Sequence, residues 1–214
     1  MNEYIKMKKN WSEKMQEGFK KLKTMDPYLK QIIEMYGYPK DRAVPNSFES
    51  LTKIIIGQQI SRSAAKSIIE KLAKKKLISL KAILKENNIG LKNLGLSSKK
   101  IDYIKNLAIK IHENQINLKD FETSSDEYIY NNLIDLKGIG EWTINNYMLF
   151  ALQKVDSWPG GDLALQEAVK KIKNLKSRPN TNEMKLIAEN WKPYRGSAAL
   201  ILWHFYGEIK NNYG

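Results

Sequence analysis

The chain has 214 residues, enough for one large domain or two small lobes, and carries 36 Lys and Arg against 23 Asp and Glu for a formal net charge of +13. The absence of cysteine excludes disulfides, a thiol nucleophile, Cys-ligated zinc and iron–sulfur clusters, and the two histidines, His112 and His204, are too few and too far apart in sequence to suggest a His-based metal site. The charge excess points to a polyanion, nucleic acid ahead of a membrane surface, because no segment pairs a basic face with an aromatic or leucine face. Arg occurs only at Arg42, Arg62, Arg178 and Arg195, so AT-rich codon bias accounts for part of the lysine content.

In chain order, apolar residues at Phe19, Leu22, Met25, Leu29, Ile32, Ile33 and Tyr36 mark one helical face over 11–36, with a new start at Asp26-Pro27 and an end at Gly37-Tyr38-Pro39. Asn46-x-x-Glu49 reads as a capping box for a helix through Ile56 that stops at Gly57-Gln58-Gln59-Ile60. Ser61 caps a second helix over 62–76, and a short one follows near 80–86. Residues 87–98 read as a loop, closed by Ser97 or Ser98 capping 99–114. Ser124-x-x-Glu127 is another capping box, leading to a helix before residue 136. Helices are then expected over 141–152, 163–173, 183–191 and 194–206, with 178–182 as a linker. No β-alternation of useful length and no repeat appears, so the fold class is all-α.

The stretch with chemical promise is Leu136-Lys137-Gly138-Ile139-Gly140-Glu141-Trp142-Thr143. Gly-x-Gly between two helical patterns suits a tight turn whose open amides, at the start of the next helix, favour a phosphate. An ordinary helix-ending glycine turn has the same appearance. Pro159-Gly160-Gly161 then forces a loop, and Asp162, 22 residues after Gly140, stands where an N-cap would stand. Capping alone would account for a lone Asp there.

Together, the hairpin, Trp142 and the spacing to Asp162 resemble the helix-hairpin-helix DNA glycosylases with a Gly/Pro-rich loop and a catalytic Asp (HhH-GPD). Gly57-Gln58-Gln59-Ile60-Ser61, Trp191-Lys192-Pro193-Tyr194-Arg195 and Trp203 resemble its alkylbase branch, 3-methyladenine DNA glycosylase II, and the likeness runs from about Phe48 to Tyr206. The resemblance implies a two-lobed helical fold, with lobes at approximately 44–135 and at 1–43 plus 136–214 and an active-site cleft between them. It implies a monofunctional enzyme that flips an alkylated purine out of duplex DNA and hydrolyses its N-glycosidic bond. Asp162 would stabilise the oxocarbenium character of the sugar or orient water, and its helix N-terminus favours the ionised form. A base already carrying positive charge needs no general acid to leave.

The same resemblance implies a base pocket of Trp142, Trp203, Tyr147 and Asn146, whose aromatic faces would attract a cationic base. Asn146 stands where several relatives have Tyr, while Trp11, Trp158 and Trp191 are assigned to the core. Implied DNA contacts are Lys137 and the amides near Gly138 and Gly140, with Gln58, Gln59, Ser61, Ser97, Ser98 and Arg195, and Leu96 as the apolar wedge. The carbonyls of Ile134, Leu136 and Ile139 would hold Na+ or K+, with no cofactor required for the chemistry. Trp142 occupies the position of the Schiff-base Lys of bifunctional relatives, so no lyase activity is expected. Expected partners are double-stranded DNA containing damaged bases and no membrane, the chain acting as a monomer. Residues 1–10 lack the apolar core of a signal peptide and no apolar run approaches the roughly 20 residues that span a bilayer, so a cytoplasmic, nucleoid-associated protein is expected. Two alternatives share these features: a glycosylase for another lesion class, oxidised or deaminated, and a non-catalytic helix-hairpin-helix DNA-binding protein.

Overall fold

The computed structural model describes residues 11–212; residues 1–10, the stretch on which the signal-peptide reading falls, and 213–214 lie outside them. Among the described residues the regular structure is helical: α1 Glu13–Met25, α2 Pro27–Tyr36, α3 Phe48–Gly57, α4 Arg62–Lys74, α5 Leu80–Lys85 and α6 Asn88–Asn93 come first. After them come α7 Ser98–His112, a 3-10 turn at Asp120–Glu122, α8 Asp126–Ile134, α9 Glu141–Phe150, α10 Leu163–Ile172, α11 Thr181–Glu189 and α12 Arg195–Asn212. None of these helices is long and apolar enough to cross a membrane.

Packing divides the chain into Met1–Val44 with Met148–Gly214, and Pro45–Tyr147. In the first unit α12 packs against α1, α2 and α10. Its run Ala198, Ala199, Leu200, Ile201, Leu202, Trp203 and Phe205 is buried without a polar stripe, as a helix surrounded by others requires. The α1–α2 break follows from Asp26-Pro27: Pro27 takes the first helical position, and Asp26 Oδ1 accepts from the amides of Tyr28 at 2.8 Å and Leu29 at 3.0 Å. Its other oxygen accepts from Trp191 Nε1 at 2.8 Å, so one carboxylate caps α2 and holds the end of α11. Trp11, Trp158 and Trp191 are buried, in keeping with a core assignment.

In the second unit α7 is the centre, packed against α3, α5 and α6, with Ile101, Ile104, Leu107 and Ala108 buried. Several boundaries differ from the sequence reading, for local reasons. Ser47, not Asn46, caps α3, because the Asn46 amide is engaged by the Leu118 carbonyl and the Tyr147 hydroxyl. Ser125 caps α8, while Ser124 Oγ donates to the Asp120 carbonyl. Residues 87–98 are not all loop: Asn87 caps α6 by accepting from Gly90 N. Asn180 and Glu183 form a reciprocal capping box that starts α11 earlier, and α12 continues past residue 206. The hairpin also falls with Pro45–Tyr147, not with the terminal segments as the expected division at 135/136 had it. Its own bonds give the reason: the Gln58 amide donates to Gly138 O and Thr143 Oγ1, and Tyr103 of α7 lies against Gly138.

Candidate active site and hairpin

The Trp158-Pro159-Gly160-Gly161 loop delivers Asp162 to the N-terminus of α10. Gly160 is required by close approach, since a Cβ there would meet the Trp158 indole. Asp162 N donates to the Pro159 carbonyl at 2.9 Å, closing the turn. Asp162 Oδ1 accepts from Ala164 N and Leu165 N, both at 3.0 Å, which completes an N-cap. It also accepts from Trp203 Nε1 at 2.9 Å. A cap has no use for that third donor; three N–H groups converging on Oδ1 instead hold that oxygen of a half-buried carboxylate in place.

Trp203 itself is 6% exposed and its ring stacks on Phe150, with centroids 5.5 Å apart at 23°. Arg42 lies over the other aromatic of that pair, 5.2 Å from the Phe150 centroid. The expectation that Trp203 presents an open ring face is therefore corrected: its indole holds Asp162. Phe150 was missed in the sequence, where it looks like any apolar residue near a helix end.

In the second unit, Tyr147 is fully buried, edge-on to Phe121 and hydrogen-bonded to Asn46. Burial, and after it the Glu122 charge, raise its hydroxyl pKa well above the ordinary value. It is a core residue with no face for a base, which corrects the pocket assignment. Asn146 is buried too, and its amide donates back to the Trp142 carbonyl at 2.7 Å. Trp142 is half-buried in the first turn of α9.

The hairpin runs from the end of α8 to α9. Gly138 has φ +81°, and a Cβ there would overlap the Tyr103 ring, so both backbone and packing require glycine. Gly140 is exposed, and a Cβ added to it would meet nothing within 4 Å; Lys137 is exposed as well. The Leu136 carbonyl accepts from Ile139 N at 3.0 Å and keeps a second lone pair. Among the described residues no three His, Cys, Asp or Glu side chains cluster as metal ligands.

Gln58 does not reach outward: its amide holds the hairpin, donating to Gly138 O at 2.9 Å and Thr143 Oγ1 at 2.8 Å. Gln59 is exposed with φ +55°, and Ile60 beside it is 38% exposed. Leu96 is 3% exposed, so the wedge assignment is corrected; its side chain is spent on the core. Ser61 and Ser97 are exposed and cap α4 and α7 through their hydroxyls, and Ser98 is the exposed first residue of α7. Arg195 does not offer an open guanidinium: it forms a fork with Asp156, Nε to Oδ1 at 2.9 Å and Nη2 to Oδ2 at 2.6 Å, next to Glu189. Nothing in the sequence singles out Lys100. Its ammonium donates to the carbonyls of Ile56 at 2.6 Å and Gln58 at 2.8 Å, and burial lowers its pKa.

The family model described as "HhH-GPD superfamily base excision DNA repair protein" matches residues 52–193. The Schizosaccharomyces pombe alkylbase DNA glycosidase-like protein mag2 is 31% identical over 162 residues, which cover 73% of this chain and 76% of that one. Bacillus subtilis YfjP is 33% identical over 113 residues, 53% of this chain but 39% of that relative's length. Among solved structures, the S. pombe 3-methyladenine DNA glycosylase Mag1 in complex with abasic DNA superposes with a TM-score of 0.80 at 25% identity, covering 87% of this chain and 95% of that one.

Proposed function

The chain belongs to the HhH-GPD superfamily of base excision DNA repair proteins, and on that premise we propose that it is a monofunctional DNA glycosylase that removes alkylated purines of the 3-methyladenine type from duplex DNA. The observation that carries this reading is the third donor on Asp162: Trp203 Nε1 holds a carboxylate whose capping is already complete. In the reaction the C1′–N bond breaks and its electron pair leaves with the base, which departs neutral if it was cationic. Positive charge develops on the sugar, and the fixed Asp162 carboxylate stabilises it. Water adds at C1′ and gives up a proton, completing hydrolysis without a covalent enzyme intermediate. Trp142 takes the place of the Lys that would form one, so the products are a free base and an intact strand with an abasic site.

Trp142 is the aromatic proposed to meet the base. The hairpin amides near Gly138 and Gly140, with Lys137, would hold a backbone phosphate, and the Ile134, Leu136 and Ile139 carbonyls would hold a Na+ or K+ ion that supplies positive charge there. Gln59, set outward by its left-handed backbone, is proposed for the gap left by the flipped nucleotide, the chain acting on DNA as a monomer. The test is base release from duplex oligonucleotides carrying 3-methyladenine, hypoxanthine or 8-oxoguanine, with and without alkali, by wild type and Asp162→Asn. Alkali-dependent strand breaks are expected, fastest at 3-methyladenine and slower at the neutral base hypoxanthine; release confined to oxidised bases would move the substrate class, breaks without alkali would restore a lyase, and no release would leave a binding module.

A further inference from the structure

Lys100 is the third residue of α7, so its charge sits at the positive end of its own helix dipole, where a cation is disfavoured. It reaches instead to the negative C-terminal end of α3, where it donates to the carbonyls of Ile56 and Gln58. Gln58 then spends both amide protons on the hairpin, 80 and 85 residues away in sequence, at Gly138 O and Thr143 Oγ1. The next residue, Gln59, is held at φ +55°, a conformation a non-glycine residue keeps only when its surroundings impose it. Tyr103, one turn beyond Lys100 on α7, backs the same Gly138. All of these groups belong to Pro45–Tyr147.

We propose that Lys100 is a positioning residue which, through Gln58, locks the Gln59-Ile60 tip and the hairpin into one rigid element, so that both loops engage the duplex at a set spacing. The proposal rests on the DNA glycosylase reading for what the two loops touch. Neither Lys100 nor the Gln58 side chain contacts the reacting atoms; each acts through the backbone it holds.

The same helix supplies a control. Lys105 Nζ donates to the Glu86 carbonyl at 2.8 Å, the same kind of bond at the end of α5, away from either loop. Wild type, Lys100→Met, Gln58→Leu, their double variant and Lys105→Met are compared for affinity to a duplex with an abasic-site analogue, for single-turnover base release at saturating enzyme, and for melting temperature. Lys100→Met and Gln58→Leu should each weaken duplex binding about tenfold, and the double variant should lose no more than about threefold beyond the worse single one. Lys105→Met should bind within about twofold of wild type even where its melting temperature falls as far. Equal binding losses for Lys100→Met and Lys105→Met, or multiplying losses for Lys100→Met and Gln58→Leu, would overturn the proposal. If Lys100→Met fails to fold, Gln58→Leu decides, since it leaves both Lys100 bonds in place: exchange of the Ile139 amide, bonded to the Leu136 carbonyl, must quicken, and unchanged protection overturns the coupling. Wild type that releases no base would count against the glycosylase reading, while the binding series would still judge the clamp.

Discussion

Replacing Trp203 by Phe separates two roles that an indole can play beside a carboxylate. The ring that stacks on Phe150 at 5.5 Å is retained, and the N–H that reaches Asp162 Oδ1 at 2.9 Å is removed. Ala164 N and Leu165 N still cap the carboxylate, so α10 should keep its start and the protein should fold. A hydrogen bond to a charged group contributes about 1.5 to 3 kcal/mol, and if that is lost from the transition state the rate falls roughly 10- to 150-fold. The loss should be the same for a cationic base such as 3-methyladenine and a neutral one such as hypoxanthine, because the bond orients the carboxylate and does not touch the base. Cation–π selection by Trp203 would instead penalise the cationic lesion when the ring is removed, as in Trp203→Leu, and leave Trp203→Phe nearly unchanged. Single-turnover release from both lesions by wild type and the two variants distinguishes the accounts. A Trp203→Phe rate within about twofold of wild type on both bases would refute the positioning role.

Asp162→Asn keeps an oxygen for the α10 cap, removes the charge and turns the second oxygen into an NH2 donor; base release should fall by orders of magnitude with duplex affinity and melting temperature nearly unchanged, measured by single-turnover assay, titration and calorimetry. Gly138→Ala should destabilise the fold by about 1 to 3 kcal/mol, because it meets both the positive φ and the Tyr103 ring, whereas Gly140→Ala has open space and should weaken duplex binding without lowering the melting temperature. Arg195→Ala should lower the melting temperature but leave the salt dependence of duplex binding unaltered, since its guanidinium is committed to Asp156; a shallower salt slope would return it to the DNA-contacting set.

Much of the molecule was legible as local pattern. Apolar spacing located the helices, Asp26-Pro27 separated α1 from α2, Pro159-Gly160-Gly161 placed Asp162 at the start of α10, and Gly138 marked a turn that needs a left-handed residue. Each of these follows from interactions within a few residues of one another, so one stretch of sequence carries the whole signal. Choosing among adjacent caps already lay beyond that signal: Asn46 was drawn away from α3 by Leu118 and Tyr147, residues 72 and 101 positions distant. The roles of single side chains were decided the same way. Trp203 became the holder of Asp162 across 41 residues, Gln58 the brace of the hairpin across 80, and Leu96 and Tyr147 were taken into the core. A tryptophan's sequence context is alike whether its ring faces a ligand or its N–H meets a carboxylate; only the packed chain, by bringing one particular acceptor to 2.9 Å and covering the ring, chooses between them.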